Sequence, residues 1–201
     1  MTDHESANIT WHSSGVSPQE KAALHGHRGV TLWFGGLSGS GKSTLANAVA
    51  TRLHQMGVST FVLDGDNVRF GLNRDLGFSQ ADRVENVRRV AEVARLFTAA
   101  GIVNMAAFIS PFAASRKLAR DLQPDTFLEI HCHAELTVCE ARDPKGLYRK
   151  ARAGEIKDFT GIDAPYEPPE NPELVINTGE MAVEGCVDMV IELLKKRNII
   201  S

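Results

Sequence analysis

Cysteine is scarce in this 201-residue chain: Cys132, Cys139 and Cys186 are the three present, an odd number with no CxxC spacing. Such usage fits a reducing compartment better than a disulfide framework, so a cytoplasmic location is expected. Long apolar runs are missing too. No stretch reaches the roughly 18 residues that a spanning helix needs, which excludes a membrane protein of that type. Neither sign of charge dominates: 22 Lys and Arg stand against 25 Asp and Glu, a net charge of −3. A general nucleic-acid or membrane-surface binder needs a basic excess, so any anion binding must be local. The segment Met1 to Glu20 carries Asp3 and Glu5 and lacks an apolar core, so no secretory leader is expected. The sequon Asn8-Ile9-Thr10 then has no meaning. Internal repeats and low-complexity tracts are absent.

What is present is an ordinary globular composition, 43% hydrophobic and 23% charged, enough for one sizeable core. Residues 1–28 lack a clear period and read as an N-terminal extension, partly helical between Pro18 and Leu24. Its His4, His12, His25 and His27 read as scattered on a solvated tail. From Gly29 to Ser201 strands and helices alternate. Short apolar runs at 30–34, 60–63, 102–109, 127–132 and 174–177 predict five buried strands. Helical spacing predicts helices over 43–56, 82–99, 113–122, 134–141 and 182–196. Near-continuous apolar strands between amphipathic helices imply an α/β fold, a five-stranded parallel sheet with helices on both faces. Ligands of such sheets bind beyond the carboxyl ends of the strands. The polar stretch 143–172 interrupts the alternation and reads as a lid or a disordered loop.

One motif stands at such a strand end: Gly36-Leu37-Ser38-Gly39-Ser40-Gly41-Lys42-Ser43-Thr44, a GxxxxGK[ST] run after a strand and opening a helix. Glycines let backbone N–H groups converge on phosphate oxygens, and the helix start favours negative charge. Lys42 supplies a cation for the β- and γ-phosphates of ATP, and Ser43 a ligand for Mg²⁺. After the second strand comes Asp64-Gly65-Asp66-Asn67-Val68-Arg69. In this context two acids can hold metal-bound water or take a proton, and Arg69 can grip a phosphate or sulfate; in isolation the run is equally a polar turn. On the helix after the cap-like Ser79-Gln80-Ala81-Asp82, Glu85, Arg88, Arg89, Glu92 and Arg95 share the solvated side. Val84, Val87 and Val90 lie opposite. Arg83 projects with the apolar set and Asn86 lies at its border, so both are candidate substrate ligands; an internal salt bridge from Arg83 to an Asp is the other reading. Ser110, before Pro111, has three open roles: substrate contact, phosphorylation, or a helix cap. Arg142, Lys145, Arg149, Lys150 and Arg152 form a basic run that suits a closing lid or a solvated face. His131-Cys132-His133 is a poor metal site, because adjacent strand residues point to opposite faces.

In sum of its blocks, the chain resembles the bacterial adenylylsulfate kinase family: GLSGSGKST, LDGDNVRFGL, DLGFSQADRVENVRRVAEVA, FISP, CEARDPKGLYRKARAGEI and FTGIDAPYEPPENPEL, in this order. The resemblance implies a P-loop NTPase-type kinase using ATP and Mg²⁺ to phosphorylate the 3′-hydroxyl of adenosine 5′-phosphosulfate. It places Arg69, Phe78, Arg83, Asn86, Ile109, Ser110 and Lys145 around that substrate and Asp66 near the attacking hydroxyl. It likens Ser110 to a phosphoserine intermediate, puts a lid from Lys145 to about Ala164, and implies a homodimer and a possible ATP sulfurylase partner. Three departures stand out: Ala113 where Arg is usual, at the cost of a phosphate or dimer contact, although Arg116 is kept; His131 to Glu135 in place of an acidic-Thr-Pro turn; and Gly35 in place of Thr, read as harmless. A gluconate or nucleoside-monophosphate kinase would share the first block but not the later ones. A nucleotide switch would need an Asn-Lys-x-Asp run, which is absent; Asp143-Pro144-Lys145-Gly146 matches a switch DxxG by letter alone.

Overall fold

The computed structural model describes residues 9, 10 and 12–201; His4, Asn8 and the rest of 1–8, with Trp11, lie outside the described residues. Helix α1, Pro18–His25, is set by a complete capping box, in which Ser17 Oγ accepts from Glu20 N–H and the Glu20 carboxylate accepts from Ser17 N–H. Then follow β1 (Val30–Gly35), α2 (Lys42–Gln55), β2 (Thr60–Asp64), α3 (Gly65–Phe70), α4 (Gln80–Ala99) and β3 (Val103–Ala107). The chain continues through α5 (Ala113–Asp121), β4 (Phe127–His133), α6 (Leu136–Arg142), α7 (Leu147–Arg152), β5 (Leu174–Asn177) and α8 (Val183–Lys196).

The five strands form one parallel sheet in the order β2-β3-β1-β4-β5. Every residue of central β1 is buried, and its alternation feeds two cores. Val30, Leu32 and Phe34 pack with α2 and α8, through Leu45, Val49, Val190 and Leu194. Trp33 packs on the other face with Val87, Val90 and Ala94 of α4 and with Phe127. Helices therefore cover both faces, as the apolar strands required.

Five details differ from the pattern read in the sequence. The third strand stops at Ala107, because Ser110 takes a left-handed φ of 39° and Pro111 has no N–H to donate. The Asp-Gly-Asp-Asn run is helix α3, started by Asp64, whose carboxylate accepts from Asp66 N–H at 2.9 Å. Val84 is 40% exposed, off the apolar side of α4. His27 is buried, with its Nε2 accepting from Ser59 N–H at 3.0 Å; it pins the start of the domain to the turn before β2. The stretch 143–172 is ordered. It contains α7 and a small core of its own, in which Tyr148, Ala151 and Phe159 close on Ala134 and Cys139.

Candidate active site

The strand ends meet at one cavity of about 1240 Å³. At one end, the loop from Gly36 leaves β1 and opens α2. Gly36, with φ of 148°, has no room for a side chain: a Cβ there would stand 2.5 Å from Cys132 O and 2.6 Å from Ser40 Oγ. Gly39, at φ 75°, presses on Cys139 O in the same way. Helix α2 has no side-chain cap, so the first N–H groups remain for a ligand. Ser40 Oγ is buried with no partner. Lys42 is buried at the helix start, and its ammonium donates to Leu37 O at 2.6 Å. Burial pulls its pKa down to about 8. A buried cation whose one hydrogen bond is to a carbonyl fits an anion that completes its shell. Ser38, Ser43, Thr44 and Leu45 line the same end.

Ser43 Oγ donates to Asp64 Oδ2 at 2.6 Å. One hydroxyl and one carboxylate suit a Mg²⁺ that arrives with nucleotide phosphates rather than an all-protein cage. No group of three or more His, Cys, Asp or Glu that could hold a metal ion is found among the described residues.

At the other end stand Arg69 and Arg83, held by neutral groups. Arg69 donates to Gly77 O at 2.9 Å and lies 4.5 Å over the Phe78 ring. Arg83 donates to Phe78 O at 2.9 Å, Asp158 O at 2.8 Å and Thr160 Oγ1 at 3.1 Å. Neither forms an ion pair with a carboxylate among the described residues, so the salt bridge considered for Arg83 is not what holds it. Burial lowers the pKa of both, and Arg83 lowers that of Arg69 further. Asp82 and Asp66 offset this in part for Arg69 and Asp158 for Arg83, but none of them reaches ion-pair distance, so two neighbouring cations are left that a phosphate or sulfate would engage directly. Asn86 and Ile109 line this end, and Asp66 stands between the two ends with its carboxylate paired to Lys145.

The model of the adenylylsulphate kinase family matches residues 28–177. The chain belongs to that family. It is 56% identical over 197 residues, 98% of the chain and 96% of the relative, to an adenylyl-sulfate kinase of Acaryochloris marina (strain MBIC 11017). Among solved structures, the Mycobacterium tuberculosis APS kinase CysC in complex with AMPPNP and APS superposes with a TM-score of 0.81 at 51% identity, over 84% of this chain and 99% of that one. A gluconokinase of Sinorhizobium meliloti 1021 reaches a TM-score of 0.58 at 14% identity over 86% of this chain and 95% of that one, a likeness of fold alone.

In this adenylylsulfate kinase family member most of the residues singled out in the sequence do converge: Ser43, Asp66, Arg69, Phe78, Arg83, Asn86, Ile109, Ser110 and Lys145 all line the cavity. Ser110 is no helix cap; Phe112 holds the N-cap position of α5. Its hydroxyl accepts from Trp33 Nε1 at 3.0 Å, its carbonyl accepts from Arg116, and it is 3% exposed. Of the basic run only Arg142 and Lys145 reach the cavity. Arg116 is likewise withdrawn, buried against Glu129 at 2.8 Å. Ala113 gives its backbone N–H to Glu167 Oε2 at 2.6 Å, so α5 is capped by a distant carboxylate. A Cβ at Gly35 would stand 3.8 Å from the Tyr166 hydroxyl and 3.9 Å from Ser110 Oγ, an ordinary contact. His131 stacks near Tyr166, its pKa pushed down to about 4 by burial, His133 and Arg116.

Among the cavity residues, Phe159, Thr160 and Thr178 carried no role in the sequence, while Arg142 and Asp64 stood there only as members of longer runs. Phe159 and Thr160 sit in the FTGIDAPYEPPENPEL block but gave no individual signal. Arg142 and Thr178 join the loop from behind: Arg142 donates to Gly39 O and Thr178 O, and Thr178 Oγ1 donates to Ser40 O at 2.6 Å. Asp64 was one of two acids in its run; its bond to Ser43 separates its part from that of Asp66.

Proposed function

We propose that the protein transfers the γ-phosphoryl group of ATP to the ribose 3′-hydroxyl of adenosine 5′-phosphosulfate, giving ADP and 3′-phosphoadenosine 5′-phosphosulfate. The observation that carries this reading is the pair Arg69 and Arg83, two guanidinium groups without a carboxylate at ion-pair distance among the described residues, facing a P-loop across one cavity. An acceptor with a phosphosulfate end answers that charge; gluconate offers a single carboxylate. Residues 29–201 form the kinase domain in this reading, and 1–28 an extension.

Phosphoryl transfer depends mainly on positioning and on electrostatic stabilisation. The residues Gly36 to Thr44 bind the nucleotide phosphates, with Lys42 supplying charge at the transferred group. Ser43 and Asp64 would hold Mg²⁺, which when bound neutralises phosphate charge and helps align it. Arg69, Arg83 and Asn86 hold the phosphosulfate nucleotide, with Phe78, Ile109 and Phe159 around it. Asp66 orients the 3′-hydroxyl and accepts its proton. For that, its carboxylate must exchange Lys145 for the substrate, which frees Lys145 for phosphate and couples acceptor binding to the 143–172 segment. Direct in-line transfer needs no phosphoenzyme, and Ser110, buried beneath Trp33, serves as a positioning wall. The resemblance implies a homodimer and, as a further partner, a sulfurylase that supplies the substrate. Three free, buried cysteines support a reducing cytoplasm, and no described helix is long and apolar enough to cross a membrane.

A coupled assay for ADP release tests the reading, with adenosine 5′-phosphosulfate, gluconate and nucleoside monophosphates as acceptors. Turnover with the first alone is expected. Preference for either of the others would replace it.

A further inference from the structure

Beneath the acceptor end of the cavity lies a polar side chain that does not line it. Asn73 sits in the turn segment between α3 and α4 and is fully buried. Its backbone is fixed on both sides: its N–H donates to Val68 O at 3.0 Å, and its carbonyl accepts from Leu76 N–H at 3.1 Å. Burying a carboxamide is costly unless its groups are bonded. Asn73 has one side-chain partner: its Nδ2 donates to Asn86 Oδ1 at 2.9 Å, while its own Oδ1 has none.

Asn86 is in α4, 5% exposed, and lines the cavity. An unrestrained asparagine can present either its carbonyl or its NH₂ group, which have opposite hydrogen-bonding sense. With Oδ1 engaged by Asn73, Asn86 has its NH₂ group left for the cavity, a donor suited to an acceptor oxygen. The same turn segment also sets both arginines, since Gly77 O accepts from Arg69 and Phe78 O from Arg83. It works as a template for three groups at once.

We infer that Asn73 is a positioning residue of the acceptor site, holding the Asn86 carboxamide with its NH₂ group toward the bound nucleotide. The inference rests on the reading that the acceptor lies at Arg69, Arg83 and Asn86. Because Asn73 acts through Asn86, the two residues must be coupled.

The test is a double-mutant cycle of Asn73→Ala and Asn86→Ala, with kcat, both KM values and the melting temperature measured for each protein. Asn73→Ala is expected to raise the KM for adenosine 5′-phosphosulfate roughly three- to tenfold, the loss of about one hydrogen bond. The KM for ATP should stay unchanged, and the double variant should match Asn86→Ala alone. Asn73→Asp exchanges the donor for an acceptor and turns Asn86 round, so its acceptor KM should rise at least as far as that of the alanine variant. Losses that multiply in the double variant, equal rises in both KM values, or an Asn73→Asp protein as tight as wild type would each overturn the inference. If Asn73→Asp does not fold, the alanine cycle decides. A wild type that does not turn over the acceptor defeats the functional reading and this inference with it; a wild type that does, with multiplying losses, defeats the inference alone.

Discussion

Nucleotide binding should draw a proton from solution, and Lys42 sets how much. In the free protein burial holds its pKa at about 8, against an ordinary 10.5. Its one bond is to Leu37 O. Phosphates placed beside the ammonium favour the charged form and return the pKa to its ordinary range or above. At pH 9 the free side chain is then charged in only about 0.1 of molecules and the bound one in about 0.97, so binding takes up ~0.9 proton. At pH 7 the free form is already ~0.9 charged and the uptake falls to ~0.1. Calorimetric titration with a non-hydrolysable ATP analogue and Mg²⁺, in two buffers of different ionisation heat, measures this directly. Lys42→Met should bind more weakly and lose the uptake at pH 9. No uptake at pH 9 in the wild type, or uptake retained by Lys42→Met, would refute the assignment of the buried charge to the phosphate site.

Other consequences follow from the same geometry. Asp66→Ala should lower kcat at least about tenfold with the KM for ATP unchanged, since general-base contributions are of order 10²–10⁴; steady-state kinetics check this, and a smaller loss removes Asp66 from the chemistry. Arg116→Ala leaves buried Glu129 with only the longer contact to Arg120 at 3.4 Å and strips the carbonyls of Ser110 and Glu167 of a donor. Breaking such a pair costs about 3–5 kcal/mol, or about 6–20 °C of melting temperature in a domain of this size; calorimetry measures it, and Glu129→Gln added to it should restore part. His27 and His131 have folded pKa values below the ordinary 6.5, His131 at about 4, each chiefly through burial. The unfolded chain binds more protons in that window, so stability is full above about 6.5 and is lost as pH falls toward about 4. Urea unfolding at pH 7.5 and 5 should show it, with a shallower dependence in His131→Gln.

The sheet was legible because its strands are apolar on both sides, as a parallel sheet covered by helices must be. The loop at Gly36 to Thr44 was legible because it needs glycines at fixed places. What could not be read was how groups distant in sequence share partners. Arg83 was legible as a candidate substrate ligand, with an ion pair as the other reading; its partners in the fold are two carbonyls and a hydroxyl, the latter 77 positions away at Thr160. His27 looked like part of a solvated tail, and only the fold brings Ser59 N–H to it. Helix α3 was hidden because Asp, Gly and Asn favour turns, and the same Asp64 that suits a turn also caps a helix. The 143–172 segment looked free because its anchors, Tyr148, Ala151 and Phe159, are sparse among charges.

The central claim is that one cavity joins the ATP γ-phosphoryl group to a ribose hydroxyl of a phosphosulfate nucleotide. Phosphorus NMR of the product tests it most directly. Incubation with ATP, Mg²⁺ and adenosine 5′-phosphosulfate should give equal amounts of ADP and a nucleotide with a new phosphomonoester coupled to the ribose 3′ proton and the phosphosulfate intact. ADP without that monoester, or a phosphoryl group at another position, would contradict the account.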